Sequence, residues 1–284
     1  MRKIFFILFF ALLSIGAHAL EISDGFTYSK DFWNNRVSLN QNIEYYLNVG
    51  FSFDLTEYED ISNHIYTFSL PIMLRTESFG FFFRPFIIPD NANEASAKGA
   101  KLSWTFAFKQ DEIQQAFANL FLSVGFADQK AYVIREGQIP QKDNFYQLAY
   151  EAGIMLDYYD IYFFEVNGNI FQYLSGISSV EGVAGVLDQQ NIASLGTLEY
   201  VLGLPKGSAE VKIRWNSQVS RSENSISYRF IEFYDRGLKA HHSVLLSSRI
   251  YVGEKFSILF GYNHIFIQGQ TDKDIFKGEL SVKF

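Results

Sequence analysis

From Val37 to Leu55 the chain reads VSLNQNIEYYLNVGFSFDL, and its odd-numbered positions are almost all apolar. Val37, Leu39, Ile43, Tyr45, Leu47, Val49, Phe51, Phe53 and Leu55 share one parity with Gln41; Ser38, Asn40, Asn42, Glu44, Asn48, Ser52 and Asp54 share the other. A period of two is the signature of a strand with one apolar and one polar face. Soluble strands usually run about 5–6 residues, and a tilted strand crossing a bilayer needs about 9–11. Read as one strand, this stretch has length to spare for a crossing.

The pattern recurs. Tyr66, Phe68, Leu70, Ile72 and Leu74 keep one parity, as do Ala100, Leu102, Trp104, Phe106 and Phe108. Tyr146 to Leu156 and Leu198 to Leu204 follow, then Ala209, Val211, Ile213 and Trp215 opposite Lys212, Arg214, Asn216 and Gln218. Phe256, Ile258, Phe260 and Tyr262 form another row, and Phe276, Leu280, Val282 and Phe284 carry the alternation to the last residue. Turn-rich breaks such as LPKGS, VGEK and GQTDKD separate these runs. DEIQQAFANLFLSV also fits helical spacing, with Asp111 as a cap; a strand starting near Phe117 is the preferred reading.

The first residues, MRKIFFILFFALLSIGAHA, combine Arg2 and Lys3, an apolar run from Ile4 to Ile15 and the small-residue site Ala17-His18-Ala19. This layout predicts a secretory signal peptide over 1–19, cleaved after Ala19, and one exported unit over 20–284. A spanning helix needs roughly 20 apolar residues, more than this run offers. The chain has no cysteine, which excludes disulfides, thiol catalysis and cysteine-ligated metal. Its formal charge is −7, so nucleic acid is not an expected partner. It carries 30 Phe and 17 Tyr, yet the mean hydropathy is −0.01: large apolar side chains are spread thinly, as alternating strands spread them.

An exported chain of long alternating strands folds as a soluble sandwich or as a membrane barrel. In a barrel the apolar face meets lipid and aromatics gather at both interfaces. The clusters DYYDIYFFE (157–165) and FIEFYDR (230–236) sit at expected strand ends and suit such girdles. With this signal sequence and this last strand, the chain resembles bacterial outer-membrane β-barrel proteins of the porin and transporter kind. The resemblance implies an outer-membrane location and contact with outer-membrane lipid. It also implies that Phe276, Leu280, Val282 and Phe284 are read by the barrel-assembly machinery. The expected fold is all-β, an antiparallel up-and-down transmembrane barrel of about 12 strands, with 14 as the next count. Counting back from Phe284 puts the long insert 176–193 on the periplasmic side, where connections should be short. An error is therefore expected between Phe117 and Phe233.

Chemistry-bearing motifs are sparse. His64, His241, His242 and His264 form no metal-binding spacing, and no nucleophile elbow or P-loop is present. Acidic stretches at 56–60 and 90–94 read as solvated loops; no metal and no cofactor is expected. The polar parity is more informative. It aims Glu44, Glu151, Glu165 and Glu199 inward from the first and middle strands, and Lys212, Arg214, Arg229 and Arg249 inward from later ones. Acids and bases would then occupy different arcs of the wall. Either that lumen passes small hydrophilic or amphiphilic solutes, or its charges pair and plug a narrow barrel with a structural or surface-contact role. The first is the expected function. A barrel enzyme would need a serine and a histidine within reach on one face.

Overall fold

The computed structural model describes residues 19–284 apart from 31, 45, 59–60, 77, 90–95, 112–115, 136–140, 160, 175–179, 185–204, 235–239 and 268–270. The strands in chain order begin with β1 (Ala19–Ser29), β2 (Phe32–Glu44), β3 (Leu47–Tyr58) and β4 (Ile61–Ser69). β5 (Ile72–Arg75), β6 (Phe79–Ile88), β7 (Ser96–Asp111) and β8 (Ala116–Arg135) follow. Next come β9 (Gln141–Tyr158), β10 (Tyr162–Tyr173), β11 (Val180–Ala184) and β12 (Pro205–Ser217). The last are β13 (Ser222–Phe233), β14 (His241–Val252), β15 (Phe256–Ile267) and β16 (Lys273–Lys283).

Chain neighbours pair antiparallel around the wall, and β1 pairs β16, which closes the sheet. Among the described residues this makes a barrel of 14 strands, the upper of the two expected counts. β4 and β5 are two halves of one wall position, both pairing β3 and β6 across a break at Leu70–Pro71. β11 adds to the end of β8 outside the ring. Closure matters in lipid, where an unpaired sheet edge leaves backbone groups without partners. The last residue takes part: the Phe284 amide donates to the Leu20 carbonyl at 2.9 Å.

Both ends of the barrel chain lie at one rim, here called the terminal rim. The connections between strands there are short in sequence: 45–46, 76–78, 112–115, 159–161, 218–221 and 253–255. The longest connection, 174–204, leaves β10 at the opposite rim, and β11 within it pairs the far end of β8. β10 pairs β12 directly, so no strand stands between them in the wall. The long insert therefore lies at the rim opposite Phe284, not on its side; the expected run Leu198–Leu204 lies outside the described residues. The preferred strand from Phe117 is β8, which runs from Ala116, so among the described residues of that stretch the helical alternative does not occur.

Val37–Leu55 is not one strand. The chain reverses between Glu44 and Leu47, and β2 pairs β3 antiparallel. A two-residue hairpin normally switches the outward parity between its strands. A register shift between Asn42 and Glu44 inserts one extra residue and cancels the switch. Odd positions thus face outward on both sides of the turn, and the alternation conceals it.

One parity of each strand carries the exposed large apolar residues, among them Phe26, Tyr150, Ile154, Val211, Ile213 and Phe276. This is the outer face, and its apolar belt is of the kind that suits lipid. Aromatic pairs sit on it at both rims: Phe79 with Phe106 at 5.4 Å and Tyr158 with Tyr159 at 4.3 Å at the terminal rim, Tyr262 with Phe276 at 5.4 Å towards the other. Val211 lies midway along β12 on this face, beside inward-facing Lys212. Val211→Arg should destabilise the barrel in lipid vesicles by about 2–4 kcal/mol, while Lys212→Gln stays within about 1 kcal/mol. Equilibrium urea unfolding checks the contrast, and equal effects at the two positions would refute the assignment of faces.

Candidate functional site: the inner wall

The opposite parity lines the lumen, and its polar groups form cross-strand rungs. Serine hydroxyls pair between neighbours, Ser52 with Ser69 at 2.6 Å, Ser225 with Ser247 at 2.7 Å and Ser123 with Ser103 at 2.9 Å. Such contacts satisfy hydroxyls that would otherwise be buried unpaired. Asn34 donates to Thr56 at 2.9 Å. Gln129 donates to Gln147, Gln147 to the Tyr173 hydroxyl, and that hydroxyl to the Pro205 carbonyl, at 2.9, 2.8 and 3.2 Å. This chain ties four strands together near the rim opposite the termini.

Charges of both signs stand on the same face. The Arg229 guanidinium gives two N–H groups to one Glu210 oxygen, at 2.7 and 3.2 Å, from a cross-strand register pair. Arg249 donates to Glu279 at 2.7 Å, and Lys277 lies 3.8 Å from the same carboxylate. Lys101 donates to Glu151 at 2.5 Å. Arg36 meets Asp54 in register between β2 and β3. Arg214 reaches Glu223 at 3.5 Å and lies 3.9 Å above the Phe163 ring, a cation–π contact. Glu165 is in register with Lys212 and accepts from Asn167 at 3.1 Å.

Of the residues singled out from sequence, Glu151, Glu165, Lys212, Arg214, Arg229 and Arg249 therefore stand on the polar inner face. Glu44 ends β2 and its side chain is not among those described; Glu199 lies outside the described residues. Among the described residues acid and base do not occupy separate arcs. Each sign alternates with the other around the wall, because Glu210, Glu223, Glu279 and Lys101 partner Arg229, Arg214, Arg249 and Glu151, and Arg36 and Asp54 form a further pair. Glu210 shares parity with Lys212 two residues away, so that signal was present. Which acid meets which base depends on strand register, which parity does not give.

The inner face is layered along the barrel axis. Towards the opposite rim, Phe32, Ile65, Ile88, Phe171, Ile265 and Ile275 also point inward, and none is more than 3% exposed. The ion pairs below them keep contact with the lumen: the Arg36, Arg214, Arg229 and Arg249 side chains are 24–31% exposed. Histidines take other places. His64, His242 and His264 sit on the outer face, bonded to Glu57, Tyr228 and Asp274 at 2.6, 2.6 and 2.7 Å. His241 is buried on the inner face against the Phe233 ring, centroids 4.9 Å apart. Among the described residues no cluster of three or more metal-ligating side chains is found.

No family model matches the chain, and no curated protein matches it in sequence. Solved structures do match in shape. CdiB from Acinetobacter baumannii gives a TM-score of 0.51 at 7% identity, over 94% of this chain and 60% of that one. This chain thus spans well under two thirds of CdiB. OprB from Pseudomonas putida gives 0.51 at 7% identity, over 97% and 96% of the two chains. CymD, a monoaromatic hydrocarbon channel, gives 0.50 at 8%, over 93% and 87%. Likeness at such identities is likeness of fold: the chain shares the closed antiparallel β-barrel of these proteins.

Proposed function

We propose that this barrel sits in the outer membrane and passes small hydrophilic or amphiphilic solutes through its polar lumen. The observation that carries the reading is the partly exposed inner charge. A barrel filled along its length would bury its ion pairs, because a dry interior makes solvent access impossible and unpaired charge expensive. Here the guanidinium groups of Arg36, Arg214, Arg229 and Arg249 remain in contact with the lumen, so water reaches them. A wall of alternating charge then orders water and offers a moving polar solute successive partners of either sign. The overall likeness to OprB and to a hydrocarbon channel supports transport as the class of function, without fixing the solute. In this reading Phe276, Leu280, Val282 and Phe284 also serve as the signal for the barrel-assembly machinery.

The inward apolar layer near the opposite rim favours a second reading, a barrel closed at that level with a structural or surface-contact role. An enzyme is the weaker alternative: the histidines with resolved hydrogen bonds are joined to Glu57, Tyr228 and Asp274, on the outer face, and not to a serine. Single-channel conductance in a planar bilayer separates the first two readings. Steady conductance is expected, and the K212E/R214E double variant should move the reversal potential in a salt gradient towards cation preference. A folded barrel that stays silent overturns the channel and leaves the closed barrel.

A further inference from the structure

A cavity of about 250 Å³ opens on the inner wall at the terminal rim. Its lining includes Met73, Arg75, Phe82, Thr105, Asn119 and Met155. Register places these residues on one face of five adjoining wall positions: Met73 opposite Phe82, Arg75 opposite Gly80, Gly80 opposite Thr105, and Asn119 opposite Met155. Arg75 is fixed from behind, since its amide donates to the Tyr46 carbonyl at 2.9 Å and the adjoining turn is closed by Thr76 and Phe79 at 2.7 Å.

Arg75 differs from the arginines higher in the lumen. Arg36, Arg214, Arg229 and Arg249 each hold a carboxylate of the wall. Among the described residues no acid lies within ion-pair distance of Arg75, and its side chain is exposed to the cavity. A planar guanidinium with its donors open is suited to a carboxylate, which it can hold through two parallel hydrogen bonds. The Thr105 hydroxyl and Asn119 amide offer further polar contacts beside it. Met73 and Met155 are flexible and polarisable, and with the Phe82 ring they form an adaptable apolar wall. The volume lies just below the usual range for drug-sized ligands, which limits the occupant to something about as large as a substituted benzene.

We infer that this cavity binds a small carboxylate with an aromatic or branched apolar body, as a station at the terminal mouth of the lumen. The inference rests on the channel reading only for its physiological role; the binding itself is independent of conduction. Acids nearby set its limits: Glu165 is in register with Met155 and is held by Asn167, so the anion is expected on the β5–β7 side of the cavity.

The chain has 3 methionines, Met1 in the signal segment and the two that line this cavity. Methyl-¹³C-methionine NMR of the barrel purified from membranes and placed in lipid nanodiscs therefore reports on this site directly. Benzoate is the probe, and benzyl alcohol is its uncharged counterpart. Both methyl signals, assigned with Met155→Leu, should move saturably with benzoate, with benzyl alcohol binding about tenfold more weakly. Arg75→Gln should lower benzoate to the level of the alcohol, and Arg75→Lys should fall between. Equal titrations by the two probes, or a benzoate response that survives Arg75→Gln, overturns the site. Methionine shifts in a barrel without conductance keep the site and overturn the channel; conductance without shifts does the reverse.

Discussion

Gly99→Val is expected to abolish the folded barrel. Gly99 stands on the inner face of β7, in register with Ala127 of β8 and Phe86 of β6. A Cβ built there lies 2.0 Å from the Phe126 carbonyl oxygen, 2.9 Å from the Ala127 Cα and 2.7 Å from the Phe86 ring. The ring can turn away, but the carbonyl belongs to the neighbouring strand. Giving way means prising β7 from β8, and in a closed barrel that opening has no free edge to absorb it. The loss should exceed about 4 kcal/mol, the range reserved for such core failures. Gly278→Ala is the control, because a Cβ there meets nothing within 4 Å. The measurement is the heat-dependent shift of the folded band on a detergent gel, followed by urea unfolding. A Gly99→Val barrel with an unchanged band and midpoint would show that the two strands separate at this point without penalty.

How far the fold could be read from sequence follows from what a period of two records. It records faces, so the outward rows of β12 and β16 were legible down to Val211, Ile213, Leu280 and Phe284. It does not record turns when a bulge restores parity, as between Asn42 and Glu44. It also fails where both faces are apolar. Ile265 beside Phe266 and Ile275 beside Phe276 mark the ends of strands whose inner face joins the apolar layer, where an apolar side chain does not imply the outer face. Adjacent bulky residues at a strand end were the available sign of that layer. The inner charges were legible one by one from parity. Their partners were not, because Arg249 meets Glu279 across two ladders and Lys101 meets Glu151 across β8, and only barrel curvature and register bring such residues together.

Asp54→Ala is expected to destabilise the barrel strongly, and replacing its partner as well to restore most of the loss. Asp54 is nearly buried on the inner face of β3, its side chain 6% exposed, and Arg36 beside it is 31% exposed. Removing the carboxylate takes away the partner that faces the Arg36 guanidinium across the β2–β3 ladder, while the rest of the wall keeps that charge only partly exposed. Breaking a buried ion pair from one side typically costs about 3–5 kcal/mol, and lumenal water puts this one at the lower end, about 3 kcal/mol. The Arg36→Met/Asp54→Leu double variant removes both charges together and keeps the volume, so it should unfold within about 1 kcal/mol of the parent. Urea unfolding in lipid vesicles, read by fluorescence of Trp33, Trp104 and Trp215, compares the three proteins. The same double variant tests conduction from the other side: with Arg229 and Arg249 still charged, an open lumen should keep its conductance and alter only its ion preference. If the single and double variants are equally mild, Arg36 is already solvated in the absence of Asp54, and the lumen at that height is wider and wetter than its buried carboxylate implies.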